Sequence, residues 1–127
     1  MWTNMEFTPL ERDVLAWIAR NSPDSAVRAQ HSHVQAVARE FTGKGSFTSL
    51  RVPSDMPRTS FRVSPVSPYI ESTQIQYGGG SVLFFEDGLA STLELYSHGN
   101  TFPESISDWR FVPENLSQSN DKPNQST

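Results

Sequence analysis

The chain has no cysteine, and that absence excludes a disulfide framework, a thiolate metal site and a cysteine nucleophile together. It has no apolar run long enough to span a bilayer and no basic start followed by an apolar signal core. Met1-Trp2-Thr3-Asn4-Met5-Glu6 reads as a cytoplasmic start. Apolar residues are scarce, at 35%, but fourteen aromatics offset this because each buries a large area. Positive charge is scarce in one place. Residues 64–127 hold only Arg110 and Lys122 against eight acidic side chains, whereas residues 1–63 hold eight basic and six acidic ones. The net charge of −4 is therefore unevenly spread. An acidic half lacks the Lys and Arg that phosphate contacts need, which argues against a nucleic-acid partner. It suits a basic protein, whose encounter it would steer, and it would equally keep a sheet soluble.

The 127 residues fit one domain, expected over residues 1–113, long enough to bury a core without a metal or disulfide staple. Thr8-Pro9-Leu10-Glu11 has the form of a capping box: a hydroxyl at the N-cap, proline at the first helical position, a carboxylate three residues on. Leu10, Val14, Trp17 and Ile18 follow as one apolar stripe at helical spacing. Asn21-Ser22-Pro23-Asp24 stops this helix and caps a second one, expected over residues 25–40 with Val27, His31, Val34, Ala38 and Phe41 on one stripe. Gly43 and Gly45 are expected to end it, and so short a connection makes the helices a hairpin.

From Ser46 onward the apolar period changes to two. Residues 46–52 and 59–63 read as strands between loops marked by Pro53, Pro57, Pro65 and Pro68. Residues 69–77 read as a strand breaking at Gly78-Gly79-Gly80, a flexible approach to the next one. The clearest element is a hairpin of residues 81–86 and 89–96, whose Asp87-Gly88 pair suits the two positive-φ positions of a type I′ turn. Val82, Leu83, Phe84 and Phe85 are apolar on both faces, which places their strand in the sheet's centre. The two-residue loop sets Ser81 opposite Glu94, which puts Glu94 beside Leu83 and Phe85, with Arg39 as a candidate ion-pair partner. Residues 107–112 add a last strand, and the polar residues 114–127 are expected to be a disordered tail. The expected fold is α+β, an N-terminal helical hairpin packed on one face of an antiparallel sheet of four to five strands.

Candidate chemistry is thin. His31 and His33 stand two apart, which on a helix sets them about 200° apart and denies them a shared metal. His31 reads as a core-edge side chain and His98 as part of a polar turn, and no zinc or calcium spacing is present. No G-x-S-x-G elbow accompanies the serines. Gly78-Gly79-Gly80-Ser81 precedes a strand, and Thr42-Gly43-Lys44-Gly45-Ser46 lacks the spacing of a phosphate loop. No catalytic residue, metal ligand or cofactor is assigned.

Two longer motifs stand out: Arg39-Glu40-Phe41-Thr42-Gly43-Lys44-Gly45, of the form R-E-x-T-G-x-G, and Leu83-Phe84-Phe85-Glu86-Asp87-Gly88-Leu89-Ala90-Ser91-Thr92-Leu93-Glu94, of the form L-F-x-x-D-G-x-x-S-x-L-E. Over about residues 11–104 the chain resembles a widespread family of small bacterial proteins, most without an assigned activity. The resemblance makes Arg39, Glu40, Thr42, Gly43, Gly45, Asp87 and Gly88 its motif residues, and Ser46-Phe47 and His31 its departures. In size, acidity and want of a catalytic constellation, such proteins are similar to the immunity proteins that bacteria pair with toxins. That likeness implies a non-enzymatic protein-binding module that occludes a basic toxin, with no nucleic acid, membrane or cofactor involved. Its contact candidates are the charges Glu71, Glu86, Asp87, Glu94, Glu104 and Asp108, with Tyr96 and Phe102 as aromatic anchors. Two other readings stand beside it. A small enzyme or ligand-binding domain would need a solvent-connected cavity between helices and sheet, rimmed by Arg39, Glu40 and Glu94. A structural homo-oligomer would pair through the sheet's open face.

Overall fold

The capping box forms in both directions: the Glu11 amide donates to the Thr8 hydroxyl at 3.1 Å, and the Thr8 amide donates to the Glu11 carboxylate at 2.9 Å. It launches helix α1 (Pro9–Asn21), whose inward stripe is Leu10, Val14, Leu15, Ile18 and Ala19, with Glu11 buried beside them. The Asp24 carboxylate caps helix α2 (Ser25–His31) by accepting from the Ala26 amide at 2.9 Å. The Thr59 hydroxyl first and the Ala26 amide second hold the Asp24 carboxyl below its usual range. The computed structural model describes residues 5–113, so the expected disordered tail, residues 114–127, lies outside the described residues.

Helix α2 stops at His31 and not at Glu40. The stretch assigned to its second half is strand β1 (Gln35–Phe41), which pairs antiparallel with β2 (Gly45–Arg51). Gln35, Ala36, Ala38, Arg39 and Glu40 are good helix formers individually, but pairing with β2 satisfies this backbone instead, and tertiary pairing overrides propensity. The stripe of Val34, Ala38 and Phe41 is thereby dissolved: Ala36 turns to the core and Ala38 to solvent. Gly43 and Gly45 belong to the β1–β2 turn, closed by the Thr42 amide donating to the Gly45 carbonyl at 3.0 Å. His31 ends α2 half-buried, its imidazole held below the usual range by burial and then by the Arg20 charge.

The remaining strands are β3 (Pro68–Ser72), β4 (Ile75–Glu86), β5 (Leu89–Ser97) and β6 (Arg110–Pro113), in the sheet order β1-β2-β5-β4-β3-β6, antiparallel throughout. The sheet thus has six strands among the described residues, where four to five were expected. The strand that had no expected counterpart is β1, from the lost half-helix; residues 69–77 turn at Thr73-Gln74, so that their first part is β3 and their second part opens β4. Gly78-Gly79-Gly80 therefore lies inside β4 and is no flexible approach to it. The Tyr96 ring lies over Gly80, where a Cβ would stand 2.3 Å from the tyrosine hydroxyl, so a side chain has no room. Residues 59–63 make no strand of their own. The Val63–Phe84 bridge and the Phe85 amide donating to the Arg62 carbonyl lay them along the edge of β4.

Asp87 and Gly88 take φ values of 55° and 79°, as a hairpin of matching twist requires. Four residues later the register departs from the simple expectation. Phe85 pairs with Ala90 but Phe84 pairs with Thr92, leaving Ser91 as a bulge whose hydroxyl donates to the Phe84 carbonyl at 3.2 Å. Glu94 consequently faces Val82, not Ser81. The core face of this pair carries Ser81, Leu83 and Phe85 with Ala90, Leu93 and Leu95; the outer face carries Val82 and Phe84 with Thr92, Glu94 and Tyr96.

Helices and core face meet over one cluster, in which Leu10, Val14, Ile18 and Val27 pack with Leu50, Ile70, Leu83, Leu93 and Leu95. Gln30 is buried in it and fully used. Its amide nitrogen donates to the Pro57 and Gly88 carbonyls at 2.8 and 2.7 Å, and its oxygen accepts from the Ala90 amide at 2.9 Å. This side chain staples α2 to the β4–β5 turn. Among the described residues no helix is long and apolar enough to cross a membrane.

Candidate partner-binding surface

The side chains of β1 alternate, and the alternation sends its two charged motif residues to opposite faces. Arg39 pairs with Thr48 and Thr48 with Leu93, a row on the core face; Glu40 pairs with Phe47 and Phe47 with Glu94, a row on the outer face. The ion pair anticipated between Arg39 and Glu94 therefore cannot form, and Glu11 of α1 takes its place. Arg39 Nε and Nη2 donate to the two Glu11 oxygens at 2.8 and 2.5 Å, and the Thr48 hydroxyl donates to one of them at 2.5 Å. Burial alone would raise the Glu11 carboxyl. The hydrogen bonds from Arg39, Thr48 and the Thr8 amide, with the Arg39 charge, outweigh it and hold the group below its usual range.

Thr42, Gly43 and Gly45 of the same motif shape the turn between β1 and β2. The Thr42 hydroxyl accepts from the Lys44 amide at 3.3 Å, Gly43 sits at φ +87°, and a Cβ at Gly45 would stand 2.0 Å from the Leu95 carbonyl. Glu40 is the exception, exposed on the outer face.

The acidic candidates do not gather into one patch. Glu86 and Asp87 stand exposed at the β4–β5 turn, where the Asp87 carbonyl accepts from Arg58 Nη1 at 2.7 Å. Asp108 sits at the other end of β4, roughly 35 Å away along a strand of twelve residues. There it accepts from the Thr73 hydroxyl, the Thr73 amide and the Ser72 hydroxyl, and these bonds, Thr73 first, lower its carboxyl and fix the β3–β4 turn. Glu71 is paired with Arg110 at 2.7 Å. Glu104 is exposed in the loop before β6. Phe102 is a correction: only 6% exposed and part of the core, it offers no anchor to a partner.

Glu94 is different. It stands mid-sheet on the outer face, across β5 from Phe47 on one side and Val82 on the other, with Thr92 and Tyr96 two residues away along its own strand. Burial among these side chains raises its carboxyl, and no hydrogen bond or cation answers it among the described residues. Phe47 is 40% exposed and Val63, beside Phe84, is 46% exposed. The face continues into a ring cluster in which His98 lies edge-on to Tyr69 and Tyr96, with centroids 5.5 and 5.6 Å apart. Phe47, Val82 and Phe84 are missing from the candidates read off the sequence; strand alternation about Phe47 and Thr48 is the signal that could have found the first of them.

Among the described residues no group of three or more His, Asp or Glu side chains is placed to hold a metal ion. No family model, curated protein or solved structure matches the chain.

Proposed function

We propose that this chain is a non-enzymatic protein-binding module whose outer sheet face docks a basic protein, most concretely an immunity-type inhibitor that occludes a bacterial toxin. Glu94 carries the reading. A carboxylate held among Phe47, Val82 and Tyr96, with no cation to answer it among the described residues, is a liability to the free protein. A Lys or Arg brought by a partner removes that liability while the surrounding rings shut water away from the pair, which is how strong contact sites are built. Glu40 adds a second charge on the far side of Phe47. Glu86 and Asp87, at the remote turn, act on the approach of the partner and not on the contact.

The test uses the full chain as bait in its native cell extract, beside a Phe47→Ala/Glu94→Lys variant of equal thermal stability. A basic protein retained by the first and lost by the second is the expected result. Its expression alone should arrest growth, and co-expression of the wild-type chain should restore it. Equal retention by both baits would remove the outer face as the docking site, and a captured partner whose toxicity this chain leaves untouched would remove the inhibitor role.

A further inference from the structure

On the opposite, helix-bearing side of the sheet, a cavity of about 100 Å³ opens between the first turn of α1, the core face of β1, β2 and β5, and the loop before β6. Phe41, Leu95 and Ile106 give it apolar walls. Three hydrogen-bond donors at this site have no partner among the described residues. The Ser46 side chain lines the cavity, is 3% exposed, and its hydroxyl makes no hydrogen bond. Arg39, whose side chain is 10% exposed, commits Nε and Nη2 to Glu11 and to the Glu6 carbonyl and leaves Nη1 over. The Leu10 amide belongs to the first turn of α1, where no helical carbonyl precedes it and the Thr8 hydroxyl is already taken by the Glu11 amide. Buried polar groups are nearly always satisfied, so a buried hydroxyl and a spare guanidinium nitrogen on residues lining one cavity mark a place for a ligand oxygen.

We infer that this cavity binds a carboxylate carried on a short apolar stem. The adjacent Glu11 stays ionised, and the Arg39 guanidinium with the donors of Thr8 and Thr48 offsets much of its charge. The positive end of α1 favours an anion at the same spot. Glu104 lines the mouth but is exposed, where water and salt screen its charge. The volume admits a ligand of few heavy atoms and excludes a nucleotide or a sugar. A free short-chain acid and the side chain of a glutamate on another protein present the same group. Because the cavity and Glu94 lie on opposite faces of the sheet, this inference stands or falls apart from the docking proposal.

Amide and arginine side-chain NMR spectra of the full chain, titrated with sodium propionate, test it, with sodium chloride at equal ionic strength and 1-propanol as controls. Saturable shifts confined to Leu10, Ser46 and the Arg39 Nε are expected, at about millimolar affinity. Ser46→Ala, which removes one donor and little else, should weaken binding about two- to tenfold. Ile106→Trp, which fills the cavity from the loop, should abolish it while leaving the remaining resonances in place. Propionate binding as well as N-acetyl-glutamate methylamide assigns a free acid; clearly tighter binding of the amide assigns a protein side chain. No saturation by either, an equal response to chloride or propanol, or an unchanged affinity in Ser46→Ala would overturn the inference.

Discussion

Removing the Glu11 carboxylate from water is offset by four hydrogen bonds and the Arg39 guanidinium, whereas Glu94 loses water to Phe47 and Val82 and receives no partner in return among the described residues. Opposite pH behaviour follows. The Glu11 carboxyl is lowered in the folded chain, so its contribution is complete above the ordinary range near 4.5 and disappears as pH falls through the folded value. Glu11→Gln should cost about 3–5 kcal/mol in denaturant unfolding at pH 7, because it strands a buried guanidinium, and should lose less on acidification than the wild type. The Glu94 carboxyl is raised, so its ionised form penalises folding above the folded value, and the penalty vanishes as pH falls below about 4.5. Glu94→Gln should therefore raise the Tm at pH 7 by roughly 1–3 °C and leave it unchanged at pH 3, while weakening any cationic partner. A Glu94→Gln variant less stable than the parent at pH 7 would mean that the carboxylate is answered within the chain.

At the scale of elements, Gln30 and Ser91 decide how the central hairpin sits. Gln30→Leu strands the Ala90 amide and the Pro57 carbonyl, while the Gly88 carbonyl keeps the Thr59 amide, and a loss of about 2–3 kcal/mol in chemical denaturation is expected. Deleting Ser91 removes the bulge yet keeps Ala90, Leu93 and Leu95 inward, so the shortened chain should fold with the wild-type far-ultraviolet spectrum. An unfolded deletion variant would show that the bend of β5, not its face pattern, is what the extra residue supplies. The elements legible in the sequence are those specified locally: the Thr8–Glu11 box and the Asp87-Gly88 turn each carry their own geometry. Strand β1 was not legible, since its Ala, Gln, Arg and Glu residues suit a helix until β2 is beside them. Glu94 was legible as a candidate, but its neighbours were not, because a single serine resets the pairing. Ser46 carried no signal at all: a buried, unpartnered hydroxyl has no pattern to betray it.

For the whole molecule, two edges bound the sheet, β1 and β6, and the outer face between them carries Glu40 and Glu94 around an exposed phenylalanine. Pairing that face with a second copy would set like charges near one another across a twofold axis. Light scattering at pH 7 should therefore report a monomer, and any self-association should strengthen as pH falls through the raised Glu94 carboxyl. With a basic partner in hand, Glu86→Lys/Asp87→Lys should slow association and flatten its salt dependence with little change in dissociation, and Phe47→Ala should do the reverse in stopped-flow traces.

Glu11 caps its own helix with the same carboxylate that Arg39 and Thr48 reach from 28 and 37 residues along the chain. The amino end of α1 is thus a joint between distant parts, completed only once the first hairpin has arrived. In the intact protein the Thr8 amide, which donates to that carboxylate, should exchange its proton with solvent fastest when the hairpin lets go.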